Sequence, residues 1–131
     1  MYEKAKLSVE GDGFFAPILF VQGNNPNKKI FIVDMDNIFK SSSPLTYSLY
    51  NSGKDYQTYA LYSGILGGSL IGYPIGEGLS TGIFTNTNYS MMGVGAGITA
   101  GSLILNNISV NKFKKAVIEY NDNLRKELKL E

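Results

Sequence analysis

The chain of 131 residues contains neither histidine nor cysteine. That removes the commonest general base near neutral pH, the commonest neutral metal ligand, the thiolate nucleophile and any disulfide. Among the groups that remain, the carboxylates have the spacing most like a site. In "KIFIVDMDNIF" (Lys29–Phe39), Asp34 and Asp36 stand two residues apart behind a short β-branched and aromatic run. At a strand end that spacing puts both on one face. The competing role for either is to cap a helix start before Phe39. Glu77 is the other candidate, because it is the lone carboxylate or base between Asp55 and Lys112. Inside a bilayer such a group is an ion or proton site. Beside Gly76 and Gly78 it reads better as a helix-end carboxylate at an interface.

The Asp34/Asp36 stretch resembles the opening of haloacid-dehalogenase-type phosphatases, but no lysine lies between Lys54 and Lys112, no later acidic pair can hold magnesium, and no βαβ run follows. "GVGAGITAG" contains Gly95-Ala96-Gly97-Ile98-Thr99-Ala100, a formal match to a dinucleotide fingerprint. A helix-like run precedes it where a strand should, so it is set aside. Asn88-Tyr89-Ser90 and Asn107-Ile108-Ser109 are glycosylation sequons by pattern only. No nucleophile–base pair is visible, and the expectation is a non-enzymatic protein with no catalytic residue, cofactor or metal. A net charge of +1 gives no field to recruit nucleic acid.

The first third of the chain reads as β. Lys6–Glu10 alternates, with Leu7 and Val9 on one face, and Gly11-Asp12-Gly13 signals a turn. Phe14–Gln22 is a second strand, placed at an edge or bulged by Pro17, and Ile30–Val33 is a third. The simplest arrangement is an antiparallel meander too small to stand alone. Ser43-Pro44 starts a helix to about Asn51, with Gly53 a stop unless the helix runs on. Asn111 caps a closing amphipathic helix with Phe113, Ala116, Val117, Tyr120, Leu124 and Leu128 on its apolar face. No apolar leader follows Met1.

Between these lies the least ordinary part. The runs Tyr56–Gly76 and Gly78–Asn111 carry no charge, and each is long enough for a membrane-spanning helix of ~20 residues. Glycine recurs every fourth position at Gly64, Gly68, Gly72 and Gly76, and again at Gly93, Gly97 and Gly101. Interior glycines cost a helix about 1 kcal/mol each and proline about 3, so the first segment, with Pro74, carries roughly 8–9 kcal/mol of handicap. A bilayer, which leaves the backbone few alternatives, and a closely approaching helix both offset such a handicap. The expectation is a hairpin whose two helices meet along these seven glycines, with Leu61, Ile65, Leu66, Leu70, Ile71 and Ile75 turned outward. Tyr56, Tyr59 and Tyr62 at one end, and Phe84 and Tyr89 at the other, are placed like interfacial belts. Lys54, Lys112, Lys114 and Lys115 flank the open end, which sets both termini on one side.

The segments "SGILGGSLIGYPIGEGL" (Ser63–Leu79), "MMGVGAGITAGSLIL" (Met91–Leu105) and "NKFKKAVIEYNDNL" (Asn111–Leu124) resemble small uncharacterised cell-envelope proteins of Bacteroidota. The matching residues are Gly67, Gly68, Ile71, Gly72, Pro74 and Gly76, then Ala116, Val117, Tyr120 and Asn121, over the last two thirds of the chain. The resemblance implies an envelope location and brings no activity.

The reading is thus an α+β membrane protein. Residues 1–42 form a β-rich portion, 43–55 a connecting helix, 56–110 a glycine-zipper helical hairpin and 111–131 an amphipathic C-terminal helix. The function expected is that of a structural or accessory subunit of a bacterial envelope membrane complex, inner and outer membrane both remaining open. Its partners would be lipid and other membrane or envelope proteins, itself included. The other readings are a self-assembling pore, lined by Ser63, Ser69, Thr81, Ser90, Thr99 and Ser102, and a soluble interaction domain with a buried hairpin.

Overall fold

A computed structural model describes residues 1–13 and 16–129. The chain divides into two compact units, one made of Met1–Asp55 with Asn107–Glu131, the other of Tyr56–Asn106. Most of the chain is helical. A short helix α1 (Tyr2–Ala5) precedes strands β1 (Leu7–Glu10), β2 (Leu19–Gln22) and β3 (Lys29–Phe31). A 3-10 turn (Ile32–Met35) and helix α2 (Asp36–Ser41) lead to α3 (Pro44–Thr81) and α4 (Asn86–Glu127).

The meander forms as the alternation predicts, an antiparallel sheet in the order β1-β2-β3. Its register pairs Val9 with Phe20 and Phe20 with Ile30, so one face carries a continuous apolar row. The second strand begins later than expected, at Leu19. Pro17 stands ahead of it, where a missing N–H removes no ladder bond. Phe14 and Phe15, placed in that strand by the sequence pattern, lie outside the described residues. The third strand ends at Phe31, and Ile32 and Val33 enter the 3-10 turn. The open edge of β1 is closed by a side chain. The Leu7 amide donates to Asn121 Oδ1 at 2.8 Å and Asn121 Nδ2 donates to the Leu7 carbonyl at 2.8 Å. Asn121 thereby supplies the pair of bonds a fourth strand would make, satisfying backbone groups that otherwise template association.

The sheet's apolar row meets a core of Leu7, Ile18, Phe20, Met35, Phe39, Tyr50, Val110, Phe113, Ala116 and Val117. Its centre is aromatic. Phe20 meets Phe39 and Phe113 edge-on at ring separations of 5.5 and 5.7 Å, and Phe39 stacks on Tyr50 at 4.7 Å. These are the offset and T-shaped geometries that ring quadrupoles favour. The Tyr50 hydroxyl donates to the Ile32 carbonyl, so its one polar atom is satisfied. Burial pushes its pKa up to about 12, with Asp36, Tyr47 and Asp34 adding smaller repulsions.

Ser43 caps α3 as expected: its Oγ accepts from the Thr46 amide at 3.1 Å, with Pro44 at the first helical position. Asp34 and Asp36 do not cap α2 through their side chains. Asp36 instead pairs with Lys54 at 2.6 Å, and that ammonium holds its carboxyl below the usual range. Asp34 is exposed in the 3-10 turn. The pair is thus divided between two surroundings.

Two boundaries differ from the sequence reading. The helix beginning at Pro44 does not stop at Gly53, and the helix expected to begin at Asn111 is the continuation of α4. Gly53 is a point of close approach: a Cβ there would lie 2.8 Å from the Phe113 ring, and the Ser109 hydroxyl donates to its carbonyl at 2.8 Å. The glycine makes room for an aromatic ring, a demand that only packing reveals. The apolar positions of the closing segment are as the pattern predicts, with Phe113, Ala116 and Val117 buried.

Candidate helix-packing site

Within the unit Tyr56–Asn106, α3 and α4 form a helical hairpin. Helix α3 ends on Gly82, whose φ of +70° only a glycine adopts cheaply and whose amide closes on the Gly78 carbonyl at 2.9 Å. Thr85 starts α4: its Oγ1 accepts from the Asn88 amide at 3.2 Å and donates to Asn88 Oδ1 at 2.7 Å. The turn is therefore shorter than the expected 82–88, because Asn86, Thr87 and Asn88 already belong to the helix. The Phe84 ring fills the space a side chain at Gly78 would take, and stacks on Tyr89 at 6.0 Å.

The two helices touch through Gly67 and Gly95. A Cβ on Gly67 would stand 2.8 Å from the Gly95 carbonyl oxygen and 2.5 Å from Thr99 Oγ1; a Cβ on Gly95 would stand 2.7 Å from the Gly67 carbonyl oxygen. Each missing side chain is thus replaced by the other helix's backbone. The hydrogens that occupy those directions point at carbonyl oxygens, a contact worth about 0.5–1 kcal/mol. Leu70 and Ile71 flank Gly95, their side chains 2.9 Å from its absent Cβ, and Gly64 faces Ser102 Oγ at an ordinary 3.5 Å.

This corrects the expected seam. A Cβ at Gly68, Gly72, Gly76, Gly93, Gly97 or Gly101 would meet nothing within 4 Å. Of the seven glycines at spacing four, only Gly64 faces the other helix. The reason is rotational. Four residues turn a helix by about 400°, so each step drifts ~40° and the row winds off the contact face within three steps. Seven residues turn it by ~700°, a drift of about −20°, which a slight supercoil absorbs. Most of the buried small residues follow that count, Ala60, Gly67 and Pro74 on α3 and Asn88, Gly95 and Ser102 on α4, while Gly78 and Asn106 fall off it. The same count recurs in the other unit, where Thr46 and Gly53, and Ser109 and Ala116, are all buried. This heptad of small residues was legible in the sequence and is the signal that the shorter glycine period concealed.

The polar groups of the hairpin turn largely to their own backbones. Ser63, Ser69, Ser90 and Thr99 donate to carbonyls four residues back, at 2.5, 2.8, 2.9 and 2.9 Å, and buried Ser102 donates to the Thr99 carbonyl at 2.8 Å. Asn88 Nδ2 is buried without a hydrogen-bond partner. Glu77 is exposed four residues before the end of α3. The apolar side chains face outward: Leu61, Ile65, Leu66 and Ile104 are 61, 59, 55 and 62% exposed, and Tyr59, Tyr62, Tyr73, Phe84 and Tyr89 are exposed as well. Leu70 and Ile71, expected to be outward, are half-buried beside the seam.

Among the described residues one helix, α4, is long and apolar enough to cross a membrane; α3 is not. Of the apolar stretch of α4, 11% is buried. No group of three or more acidic side chains that could hold a metal ion occurs among the described residues. No family model matches the chain. Neither the curated proteins nor the solved structures include one that matches it.

Proposed function

We propose that the protein is a non-enzymatic accessory subunit of a bacterial cell-envelope membrane complex. Its α4 enters the bilayer as the one helix apolar enough to cross it, α3 packs on α4, and the hairpin offers its outward glycines to the helices of partner proteins or of further copies. The observation that carries the reading is the inversion of the hairpin: small residues occupy its seam and large aliphatic ones its surface. Water gives no reason for that arrangement. In lipid, where side-chain burial between helices has no hydrophobic drive, close backbone approach is what holds helices together. The outward glycines follow from the same logic. Glycine lowers helix stability by about 1 kcal/mol at each position, and six such positions have no neighbour within the chain. A helix from another subunit would supply that neighbour.

The self-assembling pore has less support. The hydroxyls that would line it, at Ser63, Ser69, Thr81, Ser90, Thr99 and Ser102, are bonded to backbone carbonyls.

The test is one pair of substitutions, made together and assayed in native membranes. Gly72→Leu with Gly97→Leu places side chains where the chain leaves open space. It should preserve the hairpin yet abolish co-purification of the complex in mild detergent. A protein that stays monodisperse without detergent, or a double variant that assembles as well as the parent, overturns the reading.

A further inference from the structure

The unit formed by Met1–Asp55 and Asn107–Glu131 holds a half-open cavity of about 300 Å³. It lies where the end of β2, the C-terminus of α2 and the last turns of α4 converge. Its polar wall is made by Gln22, Ser41, Ser42, Tyr120, Asn123 and Glu127, and its apolar patches by Ile38 and Leu124. None of these groups belongs to the hairpin.

Two features of the wall point to a class of ligand. The first is that much of its hydrogen-bonding capacity is unspent. The Gln22 side-chain amide, the Tyr120 hydroxyl and the Glu127 carboxylate make no hydrogen bond among the described residues, the Asn123 amide has only a 3.5 Å contact to Glu119, and of the wall's hydroxyls Ser41 donates to the Ile38 carbonyl at 3.1 Å. Tyr120 is packed edge-on against Phe39 at 6.0 Å, which fixes its ring. Burial, with a smaller contribution from Glu127, raises its pKa, so it remains an O–H donor. The second feature is charge. No lysine or arginine lines the cavity, so phosphates, carboxylates and nucleotides lack a counterion there. The one carboxylate, Glu127, is exposed and largely hydrated, which makes it a weak anchor for a cation. The rest are amides and hydroxyls, groups that both donate and accept and therefore match vicinal hydroxyls. Space for water-sized groups on this scale accommodates one small ring, at the lower end of ligand-pocket sizes.

We propose that this cavity binds a single neutral sugar-type ring, whose hydroxyls take up the amides of Gln22 and Asn123 and the hydroxyl of Tyr120.

The test uses the full chain in phosphocholine micelles, since a maltoside detergent would itself present sugar. N-acetylglucosamine and glucose are titrated while the side-chain amide signals of Gln22 and Asn123 are followed by NMR, with cadaverine as the cationic comparator. The expected result is saturable movement of both signals with at least one of the sugars and none with cadaverine. Tyr120→Phe keeps the ring against Phe39 and loses only the hydroxyl; Gln22→Ala removes one amide. Each should weaken binding about tenfold while the backbone amide spectrum stays dispersed. Absence of saturable movement with either sugar, a response to cadaverine alone, or sugar binding unchanged in both variants overturns the assignment.

Discussion

The two units of this protein solve the packing problem in opposite ways. In the unit carrying the sheet, the large side chains are inside: Phe20, Phe39, Tyr50 and Phe113 fill the centre, and charge lies on the surface. In the hairpin unit the large side chains are outside, and the inside consists of glycine, alanine, serine, asparagine and a proline. The first arrangement is what the hydrophobic effect produces in water. The second gains little from that effect, because its apolar surface remains uncovered. It gains from backbone-to-backbone contact, which is short-ranged and demands the absence of side chains. One chain thus follows two packing rules, and the residues that stabilise one unit would disrupt the other.

The largest effect is expected where a side chain fills the aromatic core. Phe113→Ala should cost about 3–5 kcal/mol, a large share of the stability of any domain. Ile104→Ala, which removes an exposed side chain of α4, should leave thermal stability in micelles nearly unchanged. Equal losses from the two, by denaturation followed with circular dichroism, would break the comparison.

The next effect runs the other way, by adding atoms. Gly95→Leu places a side chain against the Gly67 carbonyl, with no room to yield, and should cost about 1–3 kcal/mol or more. It should also separate spin labels at Leu61 and Leu103. Gly97→Leu should do neither, because its added atoms enter open space. If both substitutions splay the helices alike, the seven-residue seam is wrong.

The smallest effect sharpens the sheet unit's side of the contrast. The Tyr50 pKa is raised from 10 to about 12 in the folded chain. Because the folded value lies above the unfolded one, its contribution is complete below pH 10 and is lost as pH climbs from 10 to about 12. Tyr50→Phe should flatten that alkaline loss, at a cost near neutrality from the lost bond to the Ile32 carbonyl. An alkaline profile identical in the two proteins would place the loss elsewhere.

How much could be read beforehand depended on how local each signal was. The alternation of Leu7 and Val9, the cap at Ser43 and the apolar stripe from Phe113 to Val117 involve neighbours within a turn or a strand, and each is found where the pattern put it. Gly53 left two readings open because a glycine can end a helix or admit a neighbour, and the neighbour, the Phe113 ring, lies sixty residues further along the chain. The cavity left no sequence trace, since Gln22, Ser42 and Tyr120 come from three separate elements. Asn121 was matched by resemblance, yet its bonds to Leu7 follow only from the fold.

The sequence by itself determined that the middle of the chain is charge-poor, helical and built for close backbone approach. Those properties follow from composition and from glycine's lack of a side chain, and no partner is needed to state them. Which glycines make the approach was decided by the tertiary structure. Helix rotation carries a four-residue row off any fixed face, while a seven-residue row stays on it, and two helices can meet along only one line. Gly67 and Gly95 lie on that line, and Gly68 and Gly97, a residue or two along, do not.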